Sequence, residues 1–64
     1  MILVKEMPTS GQFIAVWKFK GHIWSDTYKW GDGILYEWSD RNTEWVVGDI
    51  EHLYRLQDAG FVVE

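Results

Sequence analysis

Two histidines, three serines and ten carboxylates are the groups in this 64-residue chain with proton, nucleophile or metal chemistry to offer, and their spacing keeps most of them apart. A metal site needs three or four convergent ligands, whereas His22 and His52 lie far apart in a chain with no cysteine to complete a set. Asp49 and His52 have the spacing of an acid/base pair, yet Asp49 stands where a helix must begin and serves better as its cap. Ser10, Ser25 and Ser39 lack the glycine-flanked turn that exposes a nucleophile. Gly31-Asp32-Gly33 is too short to cradle a phosphate and joins two strand patterns. The expected chemistry is therefore non-covalent: no enzyme, no metal and no cofactor.

Recognition chemistry is better supplied. Five Trp, three Tyr and three Phe make 17% of the residues aromatic, and interface energy concentrates in buried Trp and Tyr. Trp24, Tyr28, Trp30, Tyr36, Trp38 and Trp45 are the candidate binding residues. Asp26 is the odd neighbour among them, a carboxylate expected near Trp38, where it bonds an indole N–H, meets a basic group or reaches water at a bulge.

The elements that position these residues follow from period and punctuation. Residues 13–19 alternate Phe13, Ala15, Trp17 and Phe19 with Ile14, Val16 and Lys18, and His22 to Trp30 alternates again, with Lys20-Gly21 as a two-residue turn between them. Gly31-Asp32-Gly33 reads as a three-residue hairpin loop, followed by a strand from Ile34 to Ser39, a turn at residues 40–43 and a strand from Glu44 to Val47. Asp49 then caps a helix carrying Ile50, Leu53, Tyr54 and Gln57, expected to run about eleven residues to Gly60 as its left-handed C-terminal cap. Ile2-Leu3-Val4 and Phe61-Val62-Val63 are short terminal strands able to pair with each other, which would tie both ends of the chain into the sheet. The fold class is thus α+β: one domain over residues 1–64, a four-stranded antiparallel meander, curled or open, with short terminal strands and one C-terminal helix.

This register gathers Phe13, Trp17, Phe19, Trp24, Tyr28, Trp30, Tyr36, Trp38 and Trp45 on one face and leaves the lysines on the other. Four strands of about eight residues present roughly 500 Å² of sheet, while such a helix shades about 160 Å². Most of the aromatic face then needs another cover: curling of the sheet, the chain termini, a second copy or a partner protein.

Composition narrows the partner. The net charge is −4, divided as +2 over residues 1–30 and −6 over residues 31–64, which disfavours duplex DNA and suits a basic protein. The apolar start, Met1 to Val4, is too short for a signal peptide or a membrane span, and the absence of cysteine fits a reducing cytoplasm. The expected function is protein interaction through an aromatic sheet surface with an acidic surround, with a foreign protein or a second copy as partner. Single-stranded nucleic acid stacked on the aromatics, and an acidic mimic of nucleic acid, are the alternatives.

The runs Pro8-Thr9-Ser10-Gly11-Gln12-Phe13-Ile14-Ala15-Val16-Trp17, Ile23-Trp24-Ser25-Asp26-Thr27-Tyr28-Lys29-Trp30 and Gly33-Ile34-Leu35-Tyr36 together resemble small orphan proteins encoded by tailed bacteriophages. The resemblance covers residues 8–38 and carries no site residue over. It implies a chain made in the host-cell cytosol that binds and blocks one host protein.

Overall fold

The structure, a computed structural model, describes residues 2–63. Six strands and one helix follow in the order β1 (Ile2–Val4), β2 (Gln12–Phe19), β3 (His22–Gly31), β4 (Ile34–Ser39), β5 (Glu44–Val47), α1 (Ile50–Arg55) and β6 (Gly60–Val63). All neighbours are antiparallel in one open sheet of order β1-β6-β2-β3-β4-β5. The expected meander of β2 to β5 is present. The terminal strands pair and are tied into the sheet as the sequence predicts, β6 lying between β1 and β2; the correction is the count, one sheet of six strands in place of a four-stranded one.

Turn chemistry sets the register. Lys20 and Gly21 both have positive φ (52° and 76°), the requirement of a two-residue type I′ turn, and Phe19 faces His22, Trp17 faces Trp24 and Phe13 faces Tyr28 as the sequence predicts. Asp32 and Gly33 repeat that geometry at φ 52° and 79°. The second hairpin therefore turns on two residues rather than three, and Gly31 pairs with Ile34 inside the ladder. One residue of difference turns every later side chain to the other face. Tyr28 is opposite Glu37 rather than Tyr36, and Leu35, not Tyr36, points to the core.

The helix is shorter than its apolar spacing predicts. Asp49 caps it as expected, accepting from the backbone N–H of His52 at 3.2 Å. It ends at Arg55, where Leu56 is already extended and Asp58, at φ 56°, turns the chain back toward the sheet. Gly60, expected as the helical cap, instead opens β6. A Cβ there would lie 2.7 Å from Leu3 Cδ1, so the exposed Leu3 side chain lies over the space that the glycine leaves.

Phe13, Ala15, Tyr28, Leu35, Leu53 and Phe61 form the buried core, bordered by Trp17, Trp30, Ile50 and Leu56. They share the face of the sheet that carries α1. Six flat strands spaced about 4.8 Å apart would make a thin slab, but the Cα extents are 32 × 24 × 23 Å. The sheet curls around this core without closing, and its other face is the outside of the curl. Among the described residues no helix is long and apolar enough to cross a membrane.

Candidate functional site

Strand register sorts the candidate residues into two groups. Trp24, Tyr28 and Trp30 project to the core side, while Tyr36, Trp38 and Trp45 project to the outer side. The single aromatic face expected from the sequence is therefore split, for the reason given by the Asp32-Gly33 turn.

On the core side the three differ in their freedom. Tyr28 is fully enclosed, its ring stacked on Phe13 at 5.6 Å between centroids, so it packs and offers no surface. Trp30 is half-buried and its indole N–H donates to the Pro8 carbonyl at 2.8 Å, pinning the 5–11 segment to the sheet. Trp24 is 48% exposed, with the His22 ring edge-on at 4.6 Å.

On the outer side Trp38 and Trp45 meet edge to face at 5.3 Å, as the cross-strand pairing predicts. Lys29 Nζ lies 4.4 Å from the Trp45 ring centre and 6.0 Å from that of Tyr36, a cation held over two aromatic faces. Leu3, Ile23, Ile34 and Val47 are exposed beside half-buried Ile14, Val16 and Val62. Lys18 and Lys29 are the charged residues that the strands place on this side, while Asp26, Glu37 and Glu44 all project to the other. The outside of a curled sheet ordinarily alternates toward polar residues. Here Gln12, Ser25 and Thr27 follow that rule, while Lys18 and Lys29 are the charges and the remaining side chains are apolar or aromatic.

Asp26 is not beside Trp38, contrary to expectation: it shares the core side with Glu37, at the rim nearest the start of α1. Burial first, then the negative charge of Glu37, hold its carboxyl above the usual range; His52 opposes the shift and Asp40 adds to it. Tyr28 reaches the same spot from below. Its hydroxyl is kept protonated above the ordinary tyrosine range by burial, then by hydrogen bonding toward Glu37 and by the charges of Glu37, Asp26 and Asp49. The bond to Glu37 nonetheless falls short of full geometry, leaving the hydroxyl buried without a partner. An orphaned buried hydroxyl costs about 1–3 kcal/mol. Tyr28→Phe is therefore expected to raise stability by about 1 kcal/mol, read as a later midpoint in urea unfolding; an earlier midpoint would mean that the Glu37 bond is fully made.

The sequence gives no sign of this carboxylate gathering, because Glu37 reaches it only through the two-residue turn. Among the described residues no group of three or more His, Cys, Asp or Glu side chains is arranged to hold a metal ion. Asp49 serves as the helix cap, and Ser39 Oγ accepts from the Asn42 N–H at 3.3 Å within the β4–β5 turn. No protein-family model matches the chain, and no curated protein or solved structure matches it either.

Proposed function

We propose that the chain is a non-enzymatic interaction module whose outer sheet face docks another protein, one bearing an apolar patch with carboxylates placed to meet Lys18 and Lys29. The accessible surface carries this reading. It amounts to 5081 Å² for 7.6 kDa, against about 4,300 Å² for a monomeric protein of that mass. An excess of that sign is what a sheet left open on its outer face produces, with Leu3, Ile23, Ile34 and Val47 exposed there. Tyr36, Trp38 and Trp45 are the anchors on that face, and Leu3, Ile34 and Val47 border them.

Charge favours a foreign partner over a second copy. Two outer faces packed together would bring four lysines into one layer with no strand carboxylate to offset them. If the phage resemblance holds, the partner is a protein of the bacterial host and the setting is its cytosol. Val47→Glu and Ile34→Glu change exposed positions, so the chain still folds. Sedimentation is expected to show a monomer, and an immobilised chain to retain a host protein that both variants release. Equal retention by wild type and variants would overturn the reading, and a dimer dissolved by Val47→Glu would put a second copy in the partner's place.

A second reading is favoured by the cation held over Trp45. Aromatics beside lysines on a sheet free of strand carboxylates can stack single-stranded nucleic acid. Titration with an oligonucleotide at two salt concentrations decides: salt-sensitive quenching of Trp emission supports it, and none excludes it.

A further inference from the structure

β3 is longer than the strand beside it, and the excess leaves a vacant edge. Its pairing with β4 ends at Tyr28 opposite Glu37, whereas its pairing with β2 continues to His22. The Trp30 N–H donates to Gly11 O at 2.9 Å, which fixes the phase: even-numbered residues of β3 direct their backbone groups to β2 and odd-numbered ones to the β4 side. The N–H and C=O of Ile23 and Ser25 thus face a position where no strand of the described residues lies. Natural sheets usually blunt such an edge with lysine, proline or a bulge. His22–Asp26 has none of these, and its one protective feature is the inward-pointing charge of Asp26.

The side chains beside the vacancy are mainly acidic, with His52 of α1 as the group that opposes them. Asp26 and Glu37 flank it on the core side with Asp40 nearby, and among the described residues no lysine or arginine forms an ion pair with any of them; Arg55 is paired with Glu51 at 3.1 Å on the far side of the helix start. The enclosed, unpartnered Tyr28 hydroxyl is directed into the same cluster. A strand added at the usual spacing of about 4.8 Å would pair with Ile23 and Ser25 and set alternate side chains opposite Trp24 and Asp26.

We propose that the vacant edge of β3 accepts an extended segment of a basic partner protein, with Ile23 and Ser25 supplying the backbone pairing and Asp26 and Glu37 receiving an arginine or lysine side chain. Exposed Trp24 packs against the residue two places along the segment. This site is separate from the outer face and does not rest on it.

The probe is a blocked nine-residue peptide of alternating arginine and valine, titrated against the ¹⁵N-labelled chain at low salt. The expected result is saturable shifts of the Ile23 and Ser25 amides with slowed exchange, an affinity lowered at least about tenfold by the double variant Asp26→Asn, Glu37→Gln, and no binding by a peptide N-methylated at alternate residues. Val47→Glu should bind the peptide as wild type does, which separates failure here from failure of the outer-face reading. Two results would overturn the proposal: shifts confined to other strands, or an Asp26→Asn chain that binds the peptide undiminished and self-associates through β3. The latter would make Asp26 a guard against edge pairing rather than a receptor for a cation.

Discussion

Leu53→Ala is expected to remove most of the stability of the domain. Helix α1 is six residues long, too short to persist by itself. It is held by the one side chain that it buries fully, Leu53, with half-buried Ile50 and the flanking Leu56 at the margin. Truncating a buried leucine costs about 2–5 kcal/mol, and a chain of this length has roughly 3–10 kcal/mol in total. Loss of the helix would also uncover Trp17, whose indole packs edge-on against His52 at 5.7 Å. The measurement is urea unfolding followed by Trp emission. The variant should show an emission red-shifted before denaturant is added and a midpoint reduced by half or more. An unchanged midpoint would mean that the sheet is stable without its helix and that the core described above is drawn too wide.

What could be read in advance was what depends on neighbours in sequence. Lys20-Gly21, the Trp38 opposite Trp45 pairing and the Asp49 cap are each decided within a few residues by backbone preference or alternation, and the terminal strands are legible as apolar runs although their pairing spans the chain. The second hairpin was not so decided. Gly31-Asp32-Gly33 suits a three-residue loop as well as it suits a strand end followed by Asp32-Gly33, and both are ordinary hairpin turns. The choice was made by burial: Leu35 joins Leu53 and Phe13 in the core, leaving Tyr36 and Trp38 outside. Helix length failed for a related reason. Residues 50–57 have helical spacing, but β6 must enter between β1 and β2, and Asp58 turns the chain early to reach it.

The site was less legible than the fold because it is made of consequences of that turn. Tyr36, Trp38 and Trp45 are candidates by their type and by an expected single aromatic face, and the structure keeps these three together on the outer side; Trp24 remains exposed, while Tyr28 and Trp30 are taken up by packing and by the bond to Pro8. The separation of lysines from acids is invisible in composition, where the net charge of −4 suggests an acidic surround everywhere. Register turns it into an acidic core-side rim and an outer face with Lys18 and Lys29. The vacant edge at Ile23 and Ser25 follows from unequal strand lengths, which the alternation of His22 to Trp30 beside that of Ile34 to Ser39 already implies.

Phe13→Ala is expected to cost about 3–5 kcal/mol, the range for deleting a buried aromatic ring, against the roughly 3–10 kcal/mol that a chain of this length has in total. Phe13 is 1% exposed and stands where three strands meet: its ring stacks on Tyr28 of β3 at 5.6 Å and meets Phe61 of β6 edge-on at 5.9 Å. β6 is the strand that ties β1 to the sheet, so a cavity under Phe61 weakens both chain ends together. The β2–β3 hairpin keeps its own turn and cross-strand pairs, which sets the order of loss. Amide exchange should accelerate first in β1 and β6 and last at Val16 and Trp17, with the near-ultraviolet signal of the packed rings lost throughout. Uniform acceleration in every strand would mean that the domain has no separable edge and unfolds as a single unit, and protection retained in β6 would move the centre of the core away from Phe13.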